Sequence, residues 1–171
     1  MIKKSSELVV LIESEIKKIS DPRVLSHIQQ LLVAPYEISR AWDYGQPNQE
    51  FVCWSVLEHP QSNTGIAYCE FGFGPRSPWG LVFLSGSAEQ MSIGMDCNWY
   101  TSFEEAYFES KVAAELPIWR VYRQHISEEY PGVALTPEGD WDATWEEVYR
   151  LRDGDKTCRY NCSQTVQVQK E

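Results

Sequence analysis

The sequence predicts an α+β fold, with two N-terminal helices packed on a mainly antiparallel sheet and a further helix near residues 102–115. Three observations predict it. Apolar residues recur at helical spacing through residues 5–34. Short runs of period-two alternation follow, separated by turn sequences. The strands are grouped, not interleaved with helices, which favours hairpin connections over a parallel sheet.

Each element has a local reason. Ser5 or Ser6 caps the first helix, and Leu8, Val9, Leu11, Ile12, Ile16 and Ile19 form its apolar face. Asp21-Pro22 opens the second, with aspartate at the N-cap and proline at the first helical position. Val24, Leu25, Ile28, Leu31 and Leu32 face inward, and Pro35 stops the helix. His27 lies one residue off that face and reads as a structural histidine. The strand-rich part, 36–85, contains YEISRAWDY, FVCWSVLEH, IAYCEFGFG and WGLVFLS, with turns at GQPNQ and PQSNTG. Residues 86–98 read as a loop. Ser102 and Glu105 have the spacing of a capping box and open the helix at 102–115, which ends before Pro117. Residues 118–124 read as a strand and 125–145 as a long polar surface loop. Residues 146–162 read as a final hairpin turning at Asp153-Gly154.

The chain has 171 residues, of which 43% are hydrophobic, the size and composition of a single domain over 1–171. Its five cysteines are an odd number at irregular spacing, which argues against a secreted disulfide scaffold and for a reducing compartment. Cys53 and Cys69 fall in apolar strand-like runs and read as small buried hydrophobes. Glutamates interrupt the apolar N-terminal stretch, which is unlike a signal peptide. No run is as long as the roughly 18 apolar residues of a membrane span. The expected location is cytoplasmic, without membrane association.

The formal net charge is −10 and is unevenly spread. Residues 96–147 carry twelve acidic against three basic groups, whereas residues 148–171 carry three acidic against five basic. Such a field repels nucleic-acid phosphates and attracts a basic protein partner. An ordinary solvated surface is the competing reading of the same charges.

Motifs for chemistry are sparse. There is no phosphate loop, dinucleotide fingerprint or helical zinc-protease motif. The glycines of GFGPRSPWG lack the following lysine of a phosphate loop and read as a turn. Cys158 and Cys162, four apart in a strand, lie about 13 Å from each other, too far to share one metal. No cofactor or metal is expected. One enzymatic alternative, of hydrolase type, uses Cys97 as nucleophile and His125 as base. A third reading is a small-ligand or peptide carrier enclosing an apolar pocket within strands 50–84.

The aromatics point to binding. The chain has seven tryptophans and nine tyrosines. Most belong in a core, but Trp99, Tyr100 and Trp141 stand in acidic surroundings, where such rings act as binding anchors. Closing mini-cores under loops is the alternative role. The candidate partner-binding set is Asp96, Trp99, Tyr100, Glu104, Glu105, Glu109, Asp140, Trp141 and Asp142.

The segments GFGPRSPWGLVF (72–83) and MSIGMDCNWYTSFEEAYFES (91–110) resemble small bacterial immunity proteins of polymorphic-toxin systems. The shared features are a PWG strand start, a G-M-D-x-x-W-Y turn and an S-F-E-E-A-Y helix. The resemblance covers about a quarter of the chain. It implies a stoichiometric inhibitor of a cognate toxin, with basic nucleases among the usual targets.

Overall fold

The computed structural model describes residues 4–43, 45–70, 76–94, 98–116, 119–125, 131–135 and 141–164. The chain divides into two compact units, Met1–Ala113 and Ala114–Glu171. The fold is α+β, with two helices preceding a five-stranded antiparallel sheet.

The first unit opens with α1 (Ser5–Ile16) and α2 (Pro22–Leu31). Asp21 caps α2 as its sequence requires, accepting from the Arg23 backbone N–H at 2.8 Å. The Arg23 side chain pairs with the same carboxylate, and its hydrogen bond holds the Asp21 pKa below the usual value. The strands follow as β1 (Leu32–Ala41), β2 (Glu50–His59), β3 (Thr64–Tyr68), β4 (Trp79–Phe83) and β5 (Trp99–Tyr100), paired in that order. Between β4 and β5 lies the one-turn helix α3 (Ala88–Met91), and after β5 comes α4 (Phe103–Glu109).

The two faces of the sheet are covered differently. Leu8, Ile12, Val24 and Ile28 are fully or nearly fully buried, and α1 and α2 contact β1 and β2 respectively. Trp79 of β4 meets Phe103 of α4 edge-on, which places α4 on the face that carries Trp79. The opposite face holds Cys53, Ala67, Cys69, Val82 and Ile93, roofed by Trp42, Phe51 and Trp99.

Arg40 ties that second core together. It is only 2% exposed. Nη1 donates to the Met91 carbonyl at 2.9 Å, and Nη2 donates to the Phe83 carbonyl at 2.8 Å. The Ile93 N–H donates to Ala41 and the Asp43 N–H donates to Ile93, so the segment after α3 is stitched to the end of β1.

In the second unit, β6 (Trp119–His125) lies between β7 (Pro131–Leu135) and β8 (Cys158–Gln164). Helix α5 (Trp141–Gly154) packs on β6 and β8. Val148, Cys158 and Tyr160 form its buried centre, with Trp145, Leu151 and Cys162 against them.

Several expected boundaries change. The hairpin expected over 146–162 is replaced by α5 followed by a single strand. Thr144, Trp145, Val148 and Leu151 recur at helical spacing and turn inward, whereas Asp153-Gly154 ends the helix instead of turning a hairpin. The expected loop at 125–145 contains β7 and the start of α5. The helix expected over 102–115 stops at Glu109, because Ser110 turns extended and its hydroxyl donates to the Tyr107 carbonyl at 2.6 Å. The second helix ends at Leu31, short of residue 34. Leu32 already pairs with Leu57, and Pro35 sits within β1, an edge strand where a missing N–H is tolerated. The loop expected at 86–98 contains α3, whose Ser87 and Gln90 form a reciprocal capping box.

Candidate functional site

The acidic and aromatic residues of the first unit gather where β5 meets α4. Ser102 caps α4 by accepting from the Glu105 N–H at 3.1 Å. The Glu105 carboxylate does not return to Ser102. It reaches one residue further, accepting from the Thr101 N–H at 3.2 Å and from the Thr101 hydroxyl at 3.0 Å. Among the described residues no cation pairs with Glu105. Glu104 is half-buried and Glu109 is exposed.

A second carboxylate holds this helix from within. Glu15 of α1 is buried and accepts from the Phe103 N–H at 3.2 Å, where the helix dipole favours negative charge. Its other oxygen pairs with Lys18. The end of α1 is thereby joined to the start of α4.

Trp99 and Tyr100, though adjacent, serve different faces, as successive strand residues must. Tyr100 stands opposite Trp79, on the face that carries α4. Trp99 stands opposite Gly80, on the other face, where its ring helps roof the cysteine-containing core. A Cβ on Gly80 would come within 2.7 Å of that ring, so the close approach requires glycine. Of the two rings, Tyr100 therefore shares the surface with the α4 acids.

Burial raises the Tyr100 hydroxyl pKa, and the nearby Glu109 and Glu105 charges raise it further. Tyr36 and Tyr68 are raised as well. Tyr36 donates to Glu58, which also accepts from Ser55 at 2.7 Å, and this hydrogen bond is the largest cause of its shift. Burial raises Tyr68, with Glu70 adding to it. A raised folded-state pKa gives stability that is complete below the unfolded tyrosine value of about 10 and is lost as pH rises through the folded values. The expected result is a melting temperature that falls steadily above about pH 10. In the folded protein tyrosinate absorbance should appear at higher pH than in urea. Coincident titration curves would contradict this.

The remaining candidates divide between the units. Asp142 is exposed in the first turn of α5, and Trp141 is the first residue of that helix. Asp96 and Asp140 lie outside the described residues, as does Cys97, the nucleophile of the enzymatic alternative; its partner His125 ends β6. Within 50–84, the range of the carrier reading, Cys53, Trp54, Leu57, Ile66 and Trp79 are buried. Among the described residues no three His, Cys, Asp or Glu side chains group as a metal site.

The second unit contains a cleft of about 450 Å³ lined by Arg152, Asp155, Lys156, Arg159 and Tyr160 among others. Most of its charged groups serve the fold. Arg152 donates twice to the Tyr160 carbonyl, at 2.9 and 2.7 Å, and its guanidinium lies over the Trp145 and Tyr149 rings. Lys156 donates to the Arg152 carbonyl at the negative end of α5. Asp155 accepts from the Thr157 hydroxyl and N–H and from the Tyr160 hydroxyl, and these bonds depress its pKa strongly.

Sequence reasoning missed Arg40, Glu15 and the Tyr36–Ser55–Glu58 cluster. Arg40 did carry a signal, since it follows Tyr36 and Ile38 in the period-two phase of β1. Comparison with protein families, with curated proteins and with solved structures finds no match.

Proposed function

We propose that this chain is a noncovalent protein-binding inhibitor of the immunity type, acting in the bacterial cytoplasm, which occludes a basic partner with the surface formed by α4 and β5. A cognate toxin, such as a basic nuclease, is the partner class implied by the resemblance of residues 72–83 and 91–110. The observation that carries the reading is the placement of Tyr100 beside Glu105 and Glu109 on one surface. The acids steer a basic protein toward that surface, and the half-buried ring supplies an anchor of low conformational freedom. Asp140, Trp141 and Asp142 belong to the same proposal as a second acidic and aromatic element, carried by the other unit.

The test begins with capture of partners from the source organism by the tagged full chain, which should recover a basic protein. Association is then followed by stopped flow. Glu104→Gln combined with Glu109→Gln should slow association by about tenfold at low salt, and the difference should shrink as salt rises. These two positions leave the Glu105–Thr101 cap intact. Recovery of the chain alone, or an unchanged association rate, would overturn the reading.

A further inference from the structure

The pairing register sets Cys53 and Cys69 against each other. Trp54 pairs with Tyr68 and Ser55 with Ala67, so the next step of the same antiparallel register places Cys53 opposite Cys69. Both are 0% exposed, and both belong to the core on the face roofed by Trp42, Phe51 and Trp99. The Cys69 N–H donates to the Pro78 carbonyl at 2.8 Å, toward the β4 side. In an antiparallel strand a residue's N–H and C=O point the same way, so those of Cys69 face away from β2. Cys53 and Cys69 are therefore a non-hydrogen-bonded pair, the type with Cα atoms about 4.5 Å apart and side chains closest. That separation falls inside the range a disulfide spans, roughly 4.4–6.8 Å. Neither cysteine is in a disulfide.

We infer that Cys53 and Cys69 are a thiol pair that an oxidising disulfide, such as glutathione disulfide, closes into a cross-strand bond between β2 and β3. One thiol loses its proton and attacks the glutathione disulfide, releasing one glutathione thiolate and leaving a mixed disulfide. The second cysteine, as thiolate, attacks the protein sulfur of that intermediate and releases the other glutathione. Two cysteine thiols are oxidised, one glutathione disulfide is reduced to two glutathiones, and each departing thiolate takes up a proton. Cys158 and Cys162 do not offer the same chemistry to each other, because four residues of one strand separate them by about 13 Å. Burial sets the kinetics. The oxidant reaches Cys53 and Cys69 during folding, or when the tryptophan roof opens, and the closed core shields them otherwise.

The experiment refolds the full chain from urea in a buffer of reduced and oxidised glutathione poised toward disulfide. Remaining thiols are then alkylated and the digest is mapped by mass spectrometry. The expected product has lost two hydrogen masses, retains three of its five thiols and contains one crosslink joining the Cys53 and Cys69 peptides. A variant keeping only these two cysteines, the others replaced by alanine, should form the same crosslink. For folded wild type, the half-time of closure should shorten at least tenfold in Trp99→Ala, which opens the roof. Five remaining thiols, or crosslinks that bypass Cys53 or Cys69, would overturn the inference. So would closure in the folded state at equal rates in wild type and Trp99→Ala.

Discussion

Replacing Arg40 with alanine should destabilise the first unit by about 3–5 kcal/mol, enough to lower its melting temperature by roughly ten degrees or more. The guanidinium is almost fully buried and is held by the carbonyls of Met91 and Phe83. Alanine would leave both acceptors without this donor and open a void beside the core of Cys53, Ala67 and Val82. Arg40→Lys should fall between wild type and alanine. An ammonium keeps the charge but cannot present two donors in the fork that spans carbonyls from separate segments. Thermal melts of the three proteins test the order. A second readout follows from the location: Ile93, two residues after the Met91 carbonyl that Arg40 holds, packs in one core with Cys53 and Cys69, so a thiol reagent should label Arg40→Ala faster than wild type. An alanine variant melting within a degree or two of wild type would show that the two carbonyl bonds contribute little.

Trp79→Ala should cost about as much, roughly 3–5 kcal/mol. Its ring is 2% exposed and meets Tyr68 and Phe103 edge-on, with centroids 5.1 and 5.3 Å away. Edge-to-face pairs add to the area a tryptophan buries, so alanine removes both terms and leaves a cavity between the sheet and α4. Trp79→Phe should recover part of the loss by refilling the space. The consequence for binding is separable from unfolding. At temperatures where Trp79→Ala remains folded, α4 loses one of its supports, the edge-on contact with Phe103, and partner dissociation should accelerate more than association slows. Chemical unfolding gives the stability loss, and stopped-flow kinetics give the rates. Equal dissociation rates in folded mutant and wild type would separate α4 from the proposed binding surface.

The elements of the first unit were legible where their signals are local. Asp21-Pro22 opens α2 and Ser102 opens α4, because an N-cap is decided by a side chain and a backbone N–H two or three residues away. The same rule found Ser102 and missed Ser87, whose box with Gln90 closes a helix of one turn that lacks an apolar repeat. Residues 146–154 were misread because Asp-Gly is a strong turn signal. The inward stripe from Thr144 to Leu151 outweighs it once Cys158 and Tyr160 are available to pack against. The candidate site was partly legible. The Ser102 cap on the Glu105 N–H could be read from spacing, but the Glu105 carboxylate turns to Thr101 instead of closing the expected box, and the separation of Trp99 from Tyr100 required knowing that these residues form a strand paired with β4.

Sequence by itself determined the α+β class, the two N-terminal helices, most strands of the five-stranded sheet and the concentration of acid in residues 96–147. All of these follow from composition, periodicity and caps that operate within a few residues. Tertiary structure alone decided that Arg40 is a buried clamp, that Trp99 roofs a core while Tyr100 stands beside acids, and that Cys53 and Cys69 oppose each other. The physical reason is distance along the chain. Whether a polar or aromatic side chain is buried depends on partners it meets only after folding, and Arg40 finds its two carbonyls more than forty residues away.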